Sequence, residues 1–206
     1  MVVGKRLKLF SLESVLFEKG EESTYNFCMN HVRTSRDEIL ETCKVMFVEL
    51  GYESLNIRSV ALACGVSSGT IYNYFDSKSE LLDAVVESIW HEIFHHPKSL
   101  ETILDCIDWL YACLQYGNEK FPGFFGFHSF GNREFGKVRM QEIWAHIVFC
   151  LCTVLEEDEN IQTNVFDEHF TPKKYANFIF SIFLADMIRQ ENNKEMLVEM
   201  VKRTLY

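Results

Sequence analysis

The sequence predicts an all-α fold. Apolar residues recur at helical spacing along almost the whole chain, and only three prolines interrupt them, at positions 97, 122 and 172. Two Ser-x-x-Glu capping boxes, Ser35 with Glu38 and Ser77 with Glu80, mark the starts of two helices. The chain has 206 residues, of which 48% are hydrophobic and 24% charged, so it is long enough to bury a substantial core.

Cap residues and glycines divide the amino-terminal part into four predicted helices. Ser35 caps the first helix and Gly51 ends it, whereas Asn56 caps a short second helix that ends at a turn around Gly65. The fourth helix should end near residue 96, because a proline at position 97 disfavours a helical residue before it. The four helices are predicted at residues 35–50, 56–64, 67–75 and 77–96.

The carboxy-terminal part predicts longer helices around an aromatic stretch. An amphipathic helix at residues 98–117 leads into residues 121–136, where four glycines break the helix and phenylalanines cluster. A long helix begins near Gly136 and is followed by an acidic loop. Thr171 and Pro172 then predict the cap and first turn of a helix that is apolar on nearly every side. Asn193 is the predicted cap of the last helix.

The charge balance limits the functions that this chain can serve. A formal net charge of −10 argues against a polybasic surface that would coat nucleic acid or an anionic membrane, so any contact with nucleic acid must be local. No apolar run approaches the roughly 20 residues that cross a bilayer, which predicts a cytoplasmic protein with no membrane partner. Residues 1–30 are expected to be a flexible extension, because Glu13 and Glu18 interrupt the apolar stretch that a signal peptide needs.

The cysteines indicate a reduced protein interior. None of the seven forms a C-x-x-C pair, and most lie within apolar helical patterns, where a thiol packs as a small hydrophobic group. A thiol sensor built from Cys106 and Cys113, which lie two helical turns apart, is the alternative interpretation.

An H-E-x-x-H motif at residues 91–95 is the one indication of enzyme chemistry. On a helix, His91 and His95 share one face and could hold a zinc ion, with Glu92 beside them as the general base. Pro97 follows without the glycine and third histidine that would extend the motif, and histidines near a helix end also interact favourably with its free carbonyl groups. A metal-dependent hydrolase is therefore kept as the alternative function, and the leading interpretation contains no metal, no other cofactor and no catalytic residue.

Residues 56–75 have the organisation of a helix-turn-helix, with a glycine turn between two short helices. Residues 51–82 read GYESLNIRSVALACGVSSGTIYNYFDSKSELL, which closely resembles the signature of the TetR family of bacterial transcriptional regulators. The matching positions are Gly51, Tyr52, Ile57, Val60, Ala61, Gly65, Val66, Ser67, Gly69, Thr70, Ile71, Tyr72, Tyr74, Phe75, Lys78 and Leu81. The resemblance implies a helix-turn-helix DNA-binding domain at residues 31–80 and a helical ligand-binding and dimerisation domain at residues 81–206.

The resemblance implies that the second short helix enters the major groove of a double-stranded DNA operator. That helix contains no lysine or arginine, so base contacts would come from hydroxyl and amide groups and from apolar contact with thymine methyl groups. Tyr74 and Lys78 fall at the family's phosphate-contacting positions, and Gly69 permits a close approach of the backbone. The predicted DNA-binding residues are Arg58, Ser67, Ser68, Gly69, Thr70, Tyr72, Asn73, Tyr74 and Lys78.

The resemblance also implies an effector pocket in the carboxy-terminal part, where the aromatic stretch favours a small apolar or aromatic ligand. The predicted ligand-binding residues are Trp109, Tyr111, Phe124, Phe125, Phe127, His128, Trp144 and His146. A symmetry mate is the natural cover for the outer side of the helix that is apolar all round. The predicted dimer interface consists of Phe178, Ile179, Ile182, Phe183, Met196 and Met200.

Together these features predict a ligand-responsive DNA-binding regulator. The simplest form is a repressor that binds a palindromic operator as a homodimer. Two alternatives remain: the metal-dependent hydrolase, and a DNA-binding dimer whose aromatic domain is a solid core without a ligand.

Overall fold

The computed structural model of the protein describes residues 34–94, 100–129 and 137–206, except for the side chains of residues 127–129 and 137–139. Within these ranges the chain contains helices and no strand, which confirms the predicted all-α class. No helix in the described part of the chain is long and apolar enough to cross a membrane. The predicted extension at residues 1–30 lies outside the described residues. The helices are α1 (Arg36–Leu50), α2 (Ile57–Ala63), α3 (Ser68–Tyr72), α4 (Lys78–Ile93), α5 (Ile103–Lys120), α6 (Phe124–Ser129), α7 (Lys137–Glu157), α8 (Pro172–Arg189) and α9 (Lys194–Leu205).

The first capping box is formed as predicted, whereas the second is only half formed. The Ser35 hydroxyl accepts a hydrogen bond from the backbone N–H of Glu38 at 3.2 Å, and the Glu38 carboxylate accepts one from the N–H of Ser35 at 2.9 Å. At α4, the Ser77 hydroxyl caps the N–H of Glu80 at 3.1 Å. The Glu80 carboxylate, however, accepts from the N–H of Asp76, one residue before the predicted partner. The Glu80 side chain therefore stabilises the start of α4 through the residue before the cap, Asp76, and not through the cap residue Ser77.

Several helix ends differ from the sequence prediction. Helix α3 ends at Tyr72 instead of near residue 75, and α4 ends at Ile93, because Phe94 leaves the helical region with a ψ of 44°. Helix α5 begins at Ile103, where a capping box of Thr102 and Asp105 starts it. That box follows the same Ser/Thr-x-x-acid rule as the one at Ser35, so the sequence signal was present and was missed.

The turn between α2 and α3 is a Schellman motif centred on Gly65. The N–H of Gly65 donates to the carbonyl of Leu62 at 3.1 Å, and the N–H of Val66 donates to the carbonyl of Ala61 at 2.9 Å. Gly65 has a φ of +67°, in the left-handed region that a glycine adopts without steric cost. This turn sets the direction in which α3 leaves α2.

An aromatic cluster fills the centre of the fold where α1, α4, α5 and α6 meet. Trp90 of α4 packs against Phe124 and Phe125 of α6 with ring centroids 5.2 and 5.7 Å apart. Phe47 of α1 reaches the same Phe124 ring at 5.9 Å. Gly117 allows α5 to approach this cluster, because a Cβ at that position would lie 2.5 Å from Cζ of Phe125.

We expect Gly117→Ala to destabilise the protein although alanine favours helices. The new methyl group would overpack a core in which Phe125 is 1% exposed, and overpacking costs about 1–3 kcal/mol, which exceeds the gain of about 1 kcal/mol in helix propensity. The matched control is Gly126→Ala in α6, where the nearest atom to the new Cβ is 3.9 Å away. Urea unfolding followed by circular dichroism should show a lower free energy of unfolding for the first variant only. Equal stability of both variants would contradict this packing.

Candidate DNA-recognition surface and ligand cavity

Helix α3 has one buried face and one exposed face. Ile71 and, just after the helix, Phe75 are 0% and 1% exposed and hold it against the core. Tyr72 is 52% exposed, and Asn73 and Gly69 are also exposed. The structure therefore presents to solvent the tyrosine, the asparagine and the glycine that the sequence assigned to DNA.

The hydroxyl groups at the start of α3 also serve the helix itself. The Ser67 hydroxyl accepts from the N–H of Thr70 at 3.1 Å and lies 3.0 Å from the Thr70 hydroxyl. Ser68 and Thr70 are half-buried. Ser67 thus acts first as the cap of α3, so Tyr72 and Asn73 are the more accessible of the predicted base-contacting side chains.

Exposed cations stand in the first turns of the helices around α3. Arg58 is the second residue of α2, and Lys78 is the first residue of α4. Both side chains are exposed. Arg36, the first residue of α1, places its guanidinium 5.3 Å from the centre of the Phe75 ring. A helix start carries unpaired N–H groups and a partial positive charge, so a cation there adds to an existing preference for phosphate.

Tyr74, the predicted phosphate contact, is engaged within the protein. Its hydroxyl donates a hydrogen bond to the backbone carbonyl of Thr34, 40 residues earlier in the chain. The side chain is 38% exposed. In this structure Tyr74 ties the segment before α1 to the end of the helix-turn-helix, and its hydroxyl proton is not free for a phosphate.

A cavity of about 570 Å³ lies between α4, α5 and α7. Of the predicted ligand-binding residues, Trp109 and His146 line it. Helix α4 also contributes to the lining, although none of its residues was among the predicted ligand-binding residues. Among the described residues, those that line the cavity are Glu87, Trp90, His91, Phe94, Leu100, Trp109, Glu142, Ile143, His146, Ile147, Phe149, Cys150, Thr153, Val154 and Glu157.

Four other predicted ligand-binding residues do not line this cavity: Tyr111, Phe124, Phe125 and Trp144. Phe124 and Phe125 are each 1% exposed and belong to the aromatic core, because their rings pack on Trp90 from the side of α6. Trp144 packs on α8, 6.1 Å from the ring of Phe180. Phe127 and His128 were also predicted to bind the ligand, and their side chains lie outside the described residues.

The hydroxyl of Tyr111 is hydrogen-bonded to a buried carboxylate. This hydroxyl donates the hydrogen bond to Asp186 of α8. Burial is the larger cause that raises the pKa of Tyr111, and this hydrogen bond raises the pKa further. Tyr111 borders a second, more polar cleft of about 540 Å³, next to the start of α9. The same Asp186 accepts from the amide group of Asn193 at 2.6 Å. Asn193 makes no side-chain cap for α9, contrary to prediction, and its amide nitrogen donates to the buried carboxylate instead.

Glu92 of the H-E-x-x-H motif is held by two lysines. Lys44 of α1 contacts one carboxylate oxygen at 2.6 Å, and Lys120 of α5 contacts the other. Partial burial alone would raise the pKa of Glu92, but hydrogen bonds from Lys120 and Lys44 outweigh it and lower the pKa to about 2. A carboxylate with this pKa is a poor general base. His91 is 69% exposed, and His95 lies outside the described residues.

The described residues do not favour a zinc site or a buried thiol sensor. Across residues 34–94, 100–129 and 137–206, no group of three or more potential metal ligands is found. Cys106 and Cys113 are 1% and 4% exposed. Burial raises the pKa of both thiols to about 12, which leaves almost no thiolate at neutral pH.

The predicted dimer residues divide between the core and the surface. Ile179 and Phe183 of α8 are 0% and 1% exposed, so they pack within their own chain and are not available to a partner. On the outer side, Phe178, Met196 and Met200 are 44%, 64% and 40% exposed. Ile182 is half-buried. The helical period separates the two groups, because positions one residue apart on α8 point about 100° away from each other.

The comparisons with known proteins agree with this architecture. The family model for bacterial regulatory proteins of the tetR family matches residues 39–85, which contain the helix-turn-helix. The HTH-type transcriptional repressor KstR2 of Rhodococcus jostii (strain RHA1) is 32% identical over 59 residues, a match that covers 29% of this chain and 29% of that protein. The matched segment thus spans less than a third of the length of this relative.

Solved structures match over a longer part of the chain. Reduced NemR of E. coli covers 83% of this chain and 97% of its own, with a TM-score of 0.58 and 15% sequence identity. FadR of Bacillus subtilis, in complex with stearoyl-CoA, covers 82% of this chain and 98% of its own, with a TM-score of 0.56 and 16% identity. At these identities the likeness concerns the fold alone. The match at residues 39–85 shows that this segment is similar to the helix-turn-helix of the tetR family of bacterial regulatory proteins.

Proposed function

We propose that this protein is a ligand-responsive transcriptional regulator that represses genes by binding a palindromic DNA operator as a homodimer. One observation supports the proposal most strongly. The segment that matches the family also carries an exposed face on α3, with Tyr72 and Asn73 on it and the cations Arg58 and Lys78 beside it. In this proposal residues 31–80 bind DNA, and residues 81–206 bind the ligand and the second subunit.

Base recognition is assigned to α3 and positioning on the backbone to its neighbours. The Asn73 amide can hydrogen-bond the edge of an adenine, and the Tyr72 ring can contact a thymine methyl group. Arg58 and Lys78 would hold phosphates at helix starts. Because the whole chain carries a net charge of −10, attraction to DNA must come from local contacts such as these.

The homodimer is proposed on the exposed apolar side of α8 and α9. Phe178 of α8 and Met196 and Met200 of α9 are large apolar side chains that lie exposed, and the half-buried Ile182 lies about one turn along α8 from Phe178. A second copy related by a two-fold axis would cover them with the same surface. It would also supply a second recognition helix. Two such helices about 34–36 Å apart can enter successive turns of the major groove, which strengthens weak half-site binding.

The response to a ligand is assigned to α4, which reaches both parts of the protein. Its first residue, Lys78, belongs to the proposed DNA surface, and Trp90 near its end lines the cavity. Its Glu92 also holds Lys44 of α1. A ligand that binds one position of α4 better than another would shift the dimer between two spacings of its recognition helices.

The test begins with duplexes recovered by the purified protein from a random-sequence pool. On a recovered duplex, we expect Lys78→Ala to weaken binding to all sequences alike and to reduce the slope of log K against log salt by about one. Asn73→Ala should instead reduce the preference for the recovered sequence over its scrambled form, by roughly 1–3 kcal/mol. Lys202→Ala, an exposed lysine on α9, is the control and should change neither quantity. Equal effects of Lys78→Ala and Lys202→Ala would contradict the proposed surface.

A further inference from the structure

The start of α1 and the end of α3 are held together by two contacts. The Tyr74 hydroxyl donates a hydrogen bond to the backbone carbonyl of Thr34 at 2.5 Å. The guanidinium of Arg36 lies 5.3 Å from the centre of the Phe75 ring, and Phe75 is 1% exposed. Two consecutive residues after α3 therefore hold the two residues that flank Ser35, the cap of α1.

The bond to Thr34 decides how Tyr74 can act on DNA. A tyrosine hydroxyl has one proton to donate, and the phosphate oxygens of DNA only accept hydrogen bonds. A direct phosphate contact by Tyr74 would therefore require this bond to break. While the bond is present, Tyr74 acts on DNA only through the residues that it holds.

Arg36 is the cation in the segment that Tyr74 holds. Its side chain is exposed, and among the described residues the guanidinium contacts the Phe75 ring and no carboxylate. Two acidic residues share the first turn of α1. The Glu38 carboxylate turns back to the N–H of Ser35 at 2.9 Å, and Asp37 projects about 100° around the helix from Arg36. The guanidinium thus stays on the side of α1 that faces the end of α3.

Helix α3 depends on such neighbours for its attraction to phosphate. It contains no lysine or arginine. Arg36, Arg58 and Lys78 each occupy the first or second position of the helix that follows a turn beside it, α1, α2 and α4 respectively. Arginine suits a place against an aromatic ring, because its planar guanidinium can stack there and still present N–H groups to phosphate oxygens.

We infer that Arg36 is a phosphate contact of the proposed DNA surface and that Tyr74 is the positioning residue that holds it there. This inference rests on the proposed function, because it adds a contact to the proposed DNA surface. It assigns Tyr74 an indirect role, through the start of α1, in place of the direct phosphate contact that the family resemblance implies.

The salt dependence of DNA binding separates the two roles of Tyr74. Each phosphate that a cation neutralises contributes about 0.9 to the slope of log K against log salt, whereas a neutral hydroxyl releases no counterion. On the duplex recovered from the random pool, Arg36→Gln should lower the slope by about 0.9 for every chain bound. Tyr74→Phe removes no charge, but it should lower the slope by at least roughly half as much, because Arg36 loses its position. Tyr206→Phe, which removes a hydroxyl bonded to Asp158, is the matched control and should keep the native slope.

Double variants complete the test. Arg36→Gln with Tyr74→Phe should have the slope of Arg36→Gln alone, whereas Lys78→Ala with Tyr74→Phe should lose the sum of the two single effects. A native slope in Tyr74→Phe, even with weaker binding, would overturn the positioning role. If Lys78→Ala lowers the slope and Arg36→Gln does not, this inference fails and the proposed function stands. If the native protein binds no duplex, both fail together.

Discussion

Replacement of Asp186 by alanine is expected to lower the free energy of unfolding by about 2–4 kcal/mol, the largest stability effect that this structure predicts. Asp186 is 2% exposed and joins three parts of the fold. It lies on α8, accepts from the Tyr111 hydroxyl on α5, and accepts from the N–H and the amide of Asn193 at 2.8 and 2.6 Å just before α9. Alanine would leave these donors without their acceptor.

Two further variants separate the contributions of the individual hydrogen bonds to this loss of stability. Tyr111→Phe removes one donor and keeps the carboxylate, so we expect a loss of about 1–2 kcal/mol. Asp186→Asn keeps the shape but replaces one acceptor oxygen by a donor, which should cost more than Tyr111→Phe. Urea unfolding at neutral pH measures all three variants. A stability loss in Asp186→Ala no larger than in Tyr111→Phe would contradict the role of Asp186 as a shared acceptor.

Glu92→Gln is expected to destabilise the protein by about 1–3 kcal/mol at neutral pH and to loosen α4 from α1 and α5. The Lys44 side chain is only 8% exposed, so its ammonium group depends on Glu92 and on Glu41, at 2.6 and 2.5 Å. Lys120 is half exposed and contributes less, because water screens its charge. Glu159→Gln in the exposed turn after α7 is the control and should have no measurable effect.

The pH dependence gives this prediction a second, independent readout. The pKa of Glu92 falls from its ordinary value of 4.5 to about 2 in the folded protein. A lowered folded-state pKa adds stability above the unfolded value, and that stability is lost as pH falls through the folded value. The stability difference between the native protein and Glu92→Gln should therefore be complete at neutral pH and shrink as pH falls from 4.5 towards 2. A difference that stays constant over this window would show that the ion pairs are not its source.

Local signals in the sequence predicted the fold well. Ser35, Asn56 and Thr171 cap their helices as predicted. Each cap requires only that the side-chain oxygen accept a hydrogen bond from a backbone N–H two or three residues later. Cap predictions failed where a distant group competed for the same side chain. Asn193 donates to Asp186 instead of capping α9, and this carboxylate is buried only after α5, α8 and α9 have packed.

The candidate sites depended more on tertiary packing. The face of α3 could be predicted because Ile71 and Phe75 mark its buried side within one short segment. The cavity could not, since an apolar stripe on α4 has the same spacing whether it lines a core or a cavity. Glu92 shows the same limit. Its place beside two histidines indicated zinc chemistry, whereas its partners Lys44 and Lys120 are 48 and 28 residues away in the chain.

Recognition of a DNA sequence by α3 is tested most directly by the ratio of two affinities of the unmodified protein, one for a specific duplex and one for a scrambled duplex. Fluorescence anisotropy at about 150 mM salt would compare the duplex recovered from the random pool with a scrambled duplex of equal length and composition. The proposed regulator should bind the recovered duplex more tightly by a factor on the order of 10³ or more, and the factor should persist as salt weakens both complexes. A ratio near one at every salt concentration would mean that the protein senses only phosphate charge, and it would contradict a role in operator recognition.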